Sequence, residues 1–341
     1  ANLMDEINAG TATTGWSATA EGITAGGWGW LNLNHLNGNA YFTVMIMGAI
    51  SVIIFCKLML ANITIKMPDS VPPAVSKAFA AILPATIALY VIAIINFIVG
   101  QLTDGQLIID LVQKYIAEPF LGLSQGIGAV LIVTVFVQIF WFFGIHGPNV
   151  LAPVLEGIWG QAQLINIDIF QKGYDGKTGT SAVLAAIEDG KAYMWVRGSF
   201  DAFAWFGGSG GTIVLLIAIL VFSKRADYLT VAKLSIGPGI FNINEPVMFG
   251  LPIVLNAIMF IPFIIAPLVA TTIGWLATYW GLVSPVSQQV TWVVPPMLLS
   301  FLATGADWRA PIVTLVCMVV TFFIWAPFVI SANKIDPKLG E

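Results

Sequence analysis

Charge is what this sequence has least of. Its 341 residues hold 14 Lys and Arg and 18 Asp and Glu, 9% of the chain, against about 25% in soluble domains. That scarcity excludes an ordinary water-soluble enzyme. A net charge of −4 with no basic cluster leaves no electrostatic footprint for nucleic acid. Cysteine is also scarce: Cys56 and Cys317 stand alone in apolar runs, which excludes a disulfide framework or a cysteine metal cluster and makes both expected buried residues. No metal and no cofactor are implied. What the chain has is apolar surface, with 58% hydrophobic residues, 12 Trp and 22 Phe and a mean hydropathy of +0.88. One water-facing shell cannot hide that much, so much of the chain is expected to face lipid.

The segment 1–39 is rich in Gly, Thr, Asn and Trp, including Trp28, Trp30, Asn32, Asn34, Asn37 and Asn39. It reads as irregular backbone with aromatic anchors at a bilayer interface. No signal peptide is legible in a sequence that starts at Ala1.

About 20 apolar residues in a helix match the hydrocarbon core. Uncharged intervals run from Ala78 to Thr103, Pro119 to Leu155, Ala202 to Ser223, Pro246 to Ala306 and Ala310 to Asn333, and Tyr41 to Ala61 carries only Lys57. As one helix, the Pro246 to Ala306 interval would be roughly 90 Å long, so it must turn back, with breaks offered by residues such as Pro252, Gly281, Pro285 and Pro295. At least six full spans are expected. Lys and Arg recur in three connections, Lys57 with Lys66 and Lys77, Lys224 with Arg225 and Lys233, and Lys334 with Lys338, which places all three in the cytoplasm. The outside connection from Gln101 to Glu118 then carries Leu107, Ile108, Leu111, Val112, Tyr115 and Ile116 at helical spacing. That pattern predicts an amphipathic interfacial helix. Residues Asn166 to Ala202, with nine charged side chains, are the soluble-looking stretch and read as a solvated loop; Gly176-Lys177-Thr178 lacks the glycine that a phosphate-binding loop requires.

Two interrupted segments carry the chemistry. In Trp141-Phe142-Phe143-Gly144-Ile145-His146-Gly147-Pro148-Asn149 a helix cannot easily pass Gly147-Pro148, while Pro148 suits the first turn of a new one. Broken backbone is tolerated in lipid only where protein buries it or a watery cavity meets it. A lone His146 could simply satisfy freed backbone groups; Asn149 and Trp141 beside it favour a ligand-binding role. In Gly237-Pro238-Gly239-Ile240-Phe241-Asn242-Ile243-Asn244-Glu245-Pro246 a carboxylate stands between a Pro-Gly turn and a long uncharged interval. An ionisable residue there is costly, and its default reading is functional. A capping role for Glu245 stays open beside it.

These two motifs, with Asn244-Glu245-Pro246-Val247-Met248-Phe249-Gly250, the run to Pro153 and the prolines Pro68, Pro72 and Pro73, make the chain resemble a known family. It is similar to the membrane-embedded IIC component of sugar phosphotransferase system permeases, in the lactose, cellobiose and N,N′-diacetylchitobiose branch. Family members carry further residues ahead of the point matching Ala1, so the resemblance implies a chain that begins part-way along the family pattern. It also implies an all-α polytopic membrane protein, a transmembrane helix bundle with two re-entrant, broken-helix hairpins. Residues 1–120 would hold dimerisation-side helices and the amphipathic helix. Residues 121–341 would form the sugar-binding transport domain, with re-entrant segments near 146–160 and 238–250.

The implied activity is group translocation in the bacterial cell membrane. A disaccharide of the cellobiose, diacetylchitobiose or lactose type is bound, carried inward, and phosphorylated on its 6-hydroxyl by a phosphocysteine on a separate EIIB, itself supplied through EIIA and HPr. The implied assembly is a homodimer in the bilayer. Positions matching the family's sugar-contacting motifs are His146 and Glu245, with Glu245 the catalytic candidate; Asn149 and Asn244 are neighbours, and Trp141 and Trp292 are candidates to stack on sugar rings. Physical reasoning agrees, since a sugar site needs a few polar groups and aromatic walls rather than charge clusters. The rival is an ion-coupled secondary transporter, which would call for further buried carboxylates, with Glu156 and Asp307 as candidates.

Overall fold

A computed structural model describes residues 16–19, 22–25, 36, 40–68, 70–251 and 253–334. Within residues 1–37, Trp16–Thr19 pairs antiparallel with Gly22–Ala25, Trp16 opposite Ala25 and Thr19 opposite Gly22. This corrects the expectation of irregular backbone there: Trp16, Thr19, Ile23 and Thr24 are aromatic or β-branched residues that favour strands. Trp28, Trp30, Asn32, Asn34, Asn37, Asn39, Pro252 and Lys338 lie outside the described residues.

Residues 38–341 form a second unit, built of helices. Four described helices are long and apolar enough to cross a bilayer: Tyr41–Leu60, Pro73–Leu102, Ile258–Tyr279 and Arg309–Ala332. A fifth crossing results if Ile108–Leu123 and Ile127–Phe142, bent by 100° at their junction, are one span. Among the described residues the expected six are not reached by length and composition, because two uncharged intervals are broken from within. Between 202 and 223 the helix Thr212–Phe222 is only 11 residues long, since Gly207, Gly208, Gly210 and Gly211 hold φ of +80°, +100°, +108° and +65°, a region other residues avoid. Between 246 and 306, irregular backbone separates Ala257–Tyr279 from Pro296–Ala303.

The stretch predicted as an amphipathic helix is helical in three short pieces, Ile108–Val112, a π-helical segment Gln113–Ala117, and Glu118–Leu123. The stretch read as a solvated loop is corrected more sharply. It contains the helices Gly179–Glu188 and Arg197–Phe203, and Trp195, Val196, Phe200 and Ala202 are fully buried. Its charges misled because Arg197 is neutralised inside the fold by two carboxylates.

The buried core runs from Leu121 to Ala332 and is dominated by large side chains such as Trp141, Trp195, Trp325, Phe200 and Phe263. By contrast Tyr41–Leu60 buries none of its residues and Pro73–Leu102 only Pro84 and Ala88. Such apolar helices suit a lipid or protein neighbour rather than water. Cys317 is buried as expected, whereas Cys56 is exposed on the uncovered Tyr41–Leu60 helix.

At one end of the bundle, Asn333 ties two connections together. Its amide donates to the Phe222 carbonyl at 2.9 Å and accepts from the Lys224 N–H at 2.8 Å. The basic groups at Lys224 and Lys334 therefore share one end.

Candidate functional site

The first break falls where the sequence places it. The helix Ile127–Phe142 ends, Gly144 turns at φ +80°, and Gly147–Val150 restarts with Pro148 in its first turn. Gly147 is required by contact as well: a Cβ there would sit 2.1 Å from the Val137 carbonyl oxygen. His146 is the N-cap, its Nδ1 accepting the Asn149 N–H at 3.2 Å. In the neutral ring that bond leaves the proton on Nε2.

The second break falls later than expected. Ala226–Ile240 continues through Pro238, and the turn lies at 241–244 instead of Gly237 to Gly239. Proline removes one donor without ending a helix whose neighbours hold it, and the chain reverses where Asn242 takes a left-handed φ of +62°. Glu245 opens the helix Glu245–Gly250, with Pro246 in its first turn. No side-chain bond caps that helix and its N-cap is Asn244, so Glu245 does not cap by hydrogen bonding. Its carboxylate is free to face outward.

The two breaks meet. His146 Nε2 stands 3.8 Å from Glu245 Oε1, both side chains partly open. They line a cavity of about 350 Å³ together with Pro148, Asn149, Asn244, Trp292, Arg197, Asp201, Trp205, Gly208, Ser209 and Asn242. Five of the six candidate residues thus share one wall set. Trp141 does not line the cavity: it is 1% exposed, its indole N–H donates to Ser209 Oγ at 2.7 Å, and its ring lies 4.6 Å behind that of His146. It backs the site instead of facing the cavity, packed against the histidine ring.

Arg197, Asp201, Trp205 and Ser209 were missed by sequence reasoning. Arg197 donates from Nε to Glu156 and from Nη1 to Asp201, both at 2.8 Å, and its guanidinium lies 4.8 Å from the centre of the Trp205 ring. The signal was available in the four-residue spacing of Arg197 and Asp201 ahead of an uncharged run, which places them on one helix face. The Gly-rich turn packs against the second break: Asn244 Nδ2 donates to the Ser209 carbonyl at 2.9 Å, and a Cβ on Gly208, at φ +100°, would meet the Asn244 side chain at 2.6 Å.

The other carboxylates weighed at the outset are occupied. Glu156 is held by Arg197. Asp307 accepts from Ser284 N–H and Oγ and from Arg309 Nη2 at 2.8, 2.7 and 2.8 Å; burial acts to raise its pKa, but these bonds outweigh it and hold the carboxyl well below the usual range.

Residues 6–267 match the family described as phosphotransferase system, EIIC. The chain is 58% identical to the cellobiose-specific EIIC component of Lactococcus lactis subsp. lactis, over 89% of this chain and 62% of that protein. It is 34% identical to the oligo-beta-mannoside-specific EIIC component of Bacillus subtilis, over 93% and 68%. The crystal structure of the transporter ChbC, the IIC component from the N,N'-diacetylchitobiose-specific phosphotransferase system, superposes with a TM-score of 0.71 at 33% identity, over 92% of this chain and 68% of that one. The chain thus spans about two thirds of the length of these relatives. With the match covering most of the sequence and the fold shared, this chain belongs to the EIIC family of the phosphotransferase system.

Proposed function

We propose that the chain is the sugar-binding membrane part of a group-translocating permease in a bacterial cell membrane. The cavity takes a disaccharide of the cellobiose, diacetylchitobiose or lactose type. The observation that carries this reading is the meeting of His146 and Glu245 at 3.8 Å across two broken helices, in a cavity walled by Trp205 and Trp292. Its volume, about 350 Å³, lies in the small-molecule range.

In this reading the sugar's 6-hydroxyl oxygen attacks the phosphorus of a phosphocysteine on EIIB. An O–P bond forms, the S–P bond breaks and the thiolate leaves, while Glu245 takes the hydroxyl proton. His146 Nε2–H donates to the sugar, Asn149 and Asn244 shape the polar wall, and Trp141 holds the histidine ring from behind. EIIA and HPr recharge EIIB. Residues 121–341 carry the sugar, and residues 1–120, through the uncovered apolar helices Tyr41–Leu60 and Pro73–Leu102, serve a homodimer. An ion-coupled mechanism is the weaker reading, since Glu156, Asp201 and Asp307 are each engaged by an arginine.

Equilibrium binding of a panel of radiolabelled disaccharides to the purified protein tests the site. Saturable binding of one of the three types is expected, and binding of none would overturn the assignment. Orientation is tested separately: cysteines placed between Lys66 and Lys77, and beside Arg225, should react with an impermeant thiol reagent only from the cytoplasmic side. The shared end of Lys224 and Lys334 supports that side for both. Labelling from outside would reverse the topology.

A further inference from the structure

The wall residue Trp292 sits on backbone with no regular structure of its own, the segment 280–295. Buried backbone groups in such a segment need partners from elsewhere. Side-chain amides supply them. Asn166 Nδ2 donates to the Val286 carbonyl at 3.0 Å and Gln163 Nε2 to that of Gln288 at 3.2 Å. At the cavity the amide is Asn242, 6% exposed, whose Nδ2 donates to the carbonyls of Trp292 at 2.6 Å and Val294 at 2.8 Å, while its Oδ1 accepts the Gly207 N–H at 2.7 Å.

We infer that Asn242 is a positioning residue that fixes the indole of Trp292 against the sugar, locking the Trp292 segment to the Glu245 turn and to the Gly-rich turn at 207–211. This rests on the reading of the cavity as a disaccharide site. Two demands converge on asparagine. The backbone there is left-handed, which asparagine tolerates better than most residues. The three partners are one donor and two acceptors, which an amide matches and a carboxylate does not. Trp292 itself is half exposed, and its backbone anchor fixes the point on the wall from which the ring projects.

The test is a double-mutant cycle in membranes holding the intact protein, reading disaccharide affinity and phosphorylation per bound sugar. Asn242→Gly keeps the left-handed turn and removes the amide. It should weaken disaccharide binding about tenfold when Trp292 is present and less than about twofold in the Trp292→Ala background, with phosphorylation per bound sugar preserved. Asn242→Asp keeps the acceptor for Gly207 but turns an oxygen toward two carbonyls; it should behave like Asn242→Gly, and it carries the same cycle if the glycine variant fails to fold. Equal losses in both Trp292 backgrounds, or wild-type affinity in Asn242→Asp, would overturn the inference. If the unsubstituted protein binds no disaccharide, the functional reading itself has failed and the inference falls with it.

Discussion

Glu245→Gln is expected to weaken disaccharide binding by roughly one to two decades and to depress phosphorylation further. The substitution keeps the size and one acceptor of the side chain but removes its charge. A hydrogen bond to a charged group contributes about 1.5–3 kcal/mol, which sets the binding loss. Phosphorylation should fall beyond that, because in the proposed mechanism Glu245 takes the 6-hydroxyl proton. His146→Gln gives a different split. The Nε2–H beside Glu245 is lost, so binding suffers, but the proton acceptor remains and phosphorylation per bound sugar should survive in part. Equilibrium binding on purified protein, set beside phosphoenolpyruvate-dependent phosphorylation in membranes, reads both effects. Near-normal values of both for Glu245→Gln would remove Glu245 from the site.

Arg197→Met is expected to destabilise the fold by about 3 kcal/mol, the low end for breaking a buried ion pair, since the side chain retains some exposure at the cavity. Its removal leaves Glu156 and Asp201 facing each other's charge without a cation, although they were its partners at 2.8 Å. The stacking of the guanidinium on Trp205 is lost as well. Adding Glu156→Gln and Asp201→Asn should restore much of the loss, because the cost comes from stranded charge and not from missing contact area. Thermal unfolding of the purified variants checks this. A single variant as stable as the parent, or a triple variant no better than the single, would show that the triad is solvated and contributes little.

The polytopic helical class was legible because low charge and long apolar intervals leave few alternatives. The first break was legible to the residue, since Gly144, Gly147 and Pro148 act through local backbone geometry. At the second, Pro238 suggested a turn that tertiary packing overrides, and the reversal moved to Asn242. The span count was overestimated because hydropathy does not register backbone conformation: the glycines of 207–211 are as uncharged as a helix interior, yet they fold as a turn. Arg197 and Asp201 were misjudged for a related reason. Charge in a sequence reads as exposure until the partner is known, and Glu156 lies far away in the chain. Trp141, read as a candidate to stack on a sugar ring, is instead buried against the His146 ring, a distinction that depends on which ring covers the other.

The mechanism is tested most directly by the chemical state of sugar accumulated in membrane vesicles. With phosphoenolpyruvate and the soluble phosphocarriers supplied inside, the disaccharide should appear within as its 6-phosphate, and an imposed ion gradient alone should drive no uptake. Accumulation of unmodified sugar that follows the ion gradient and ignores phosphoenolpyruvate would contradict group translocation.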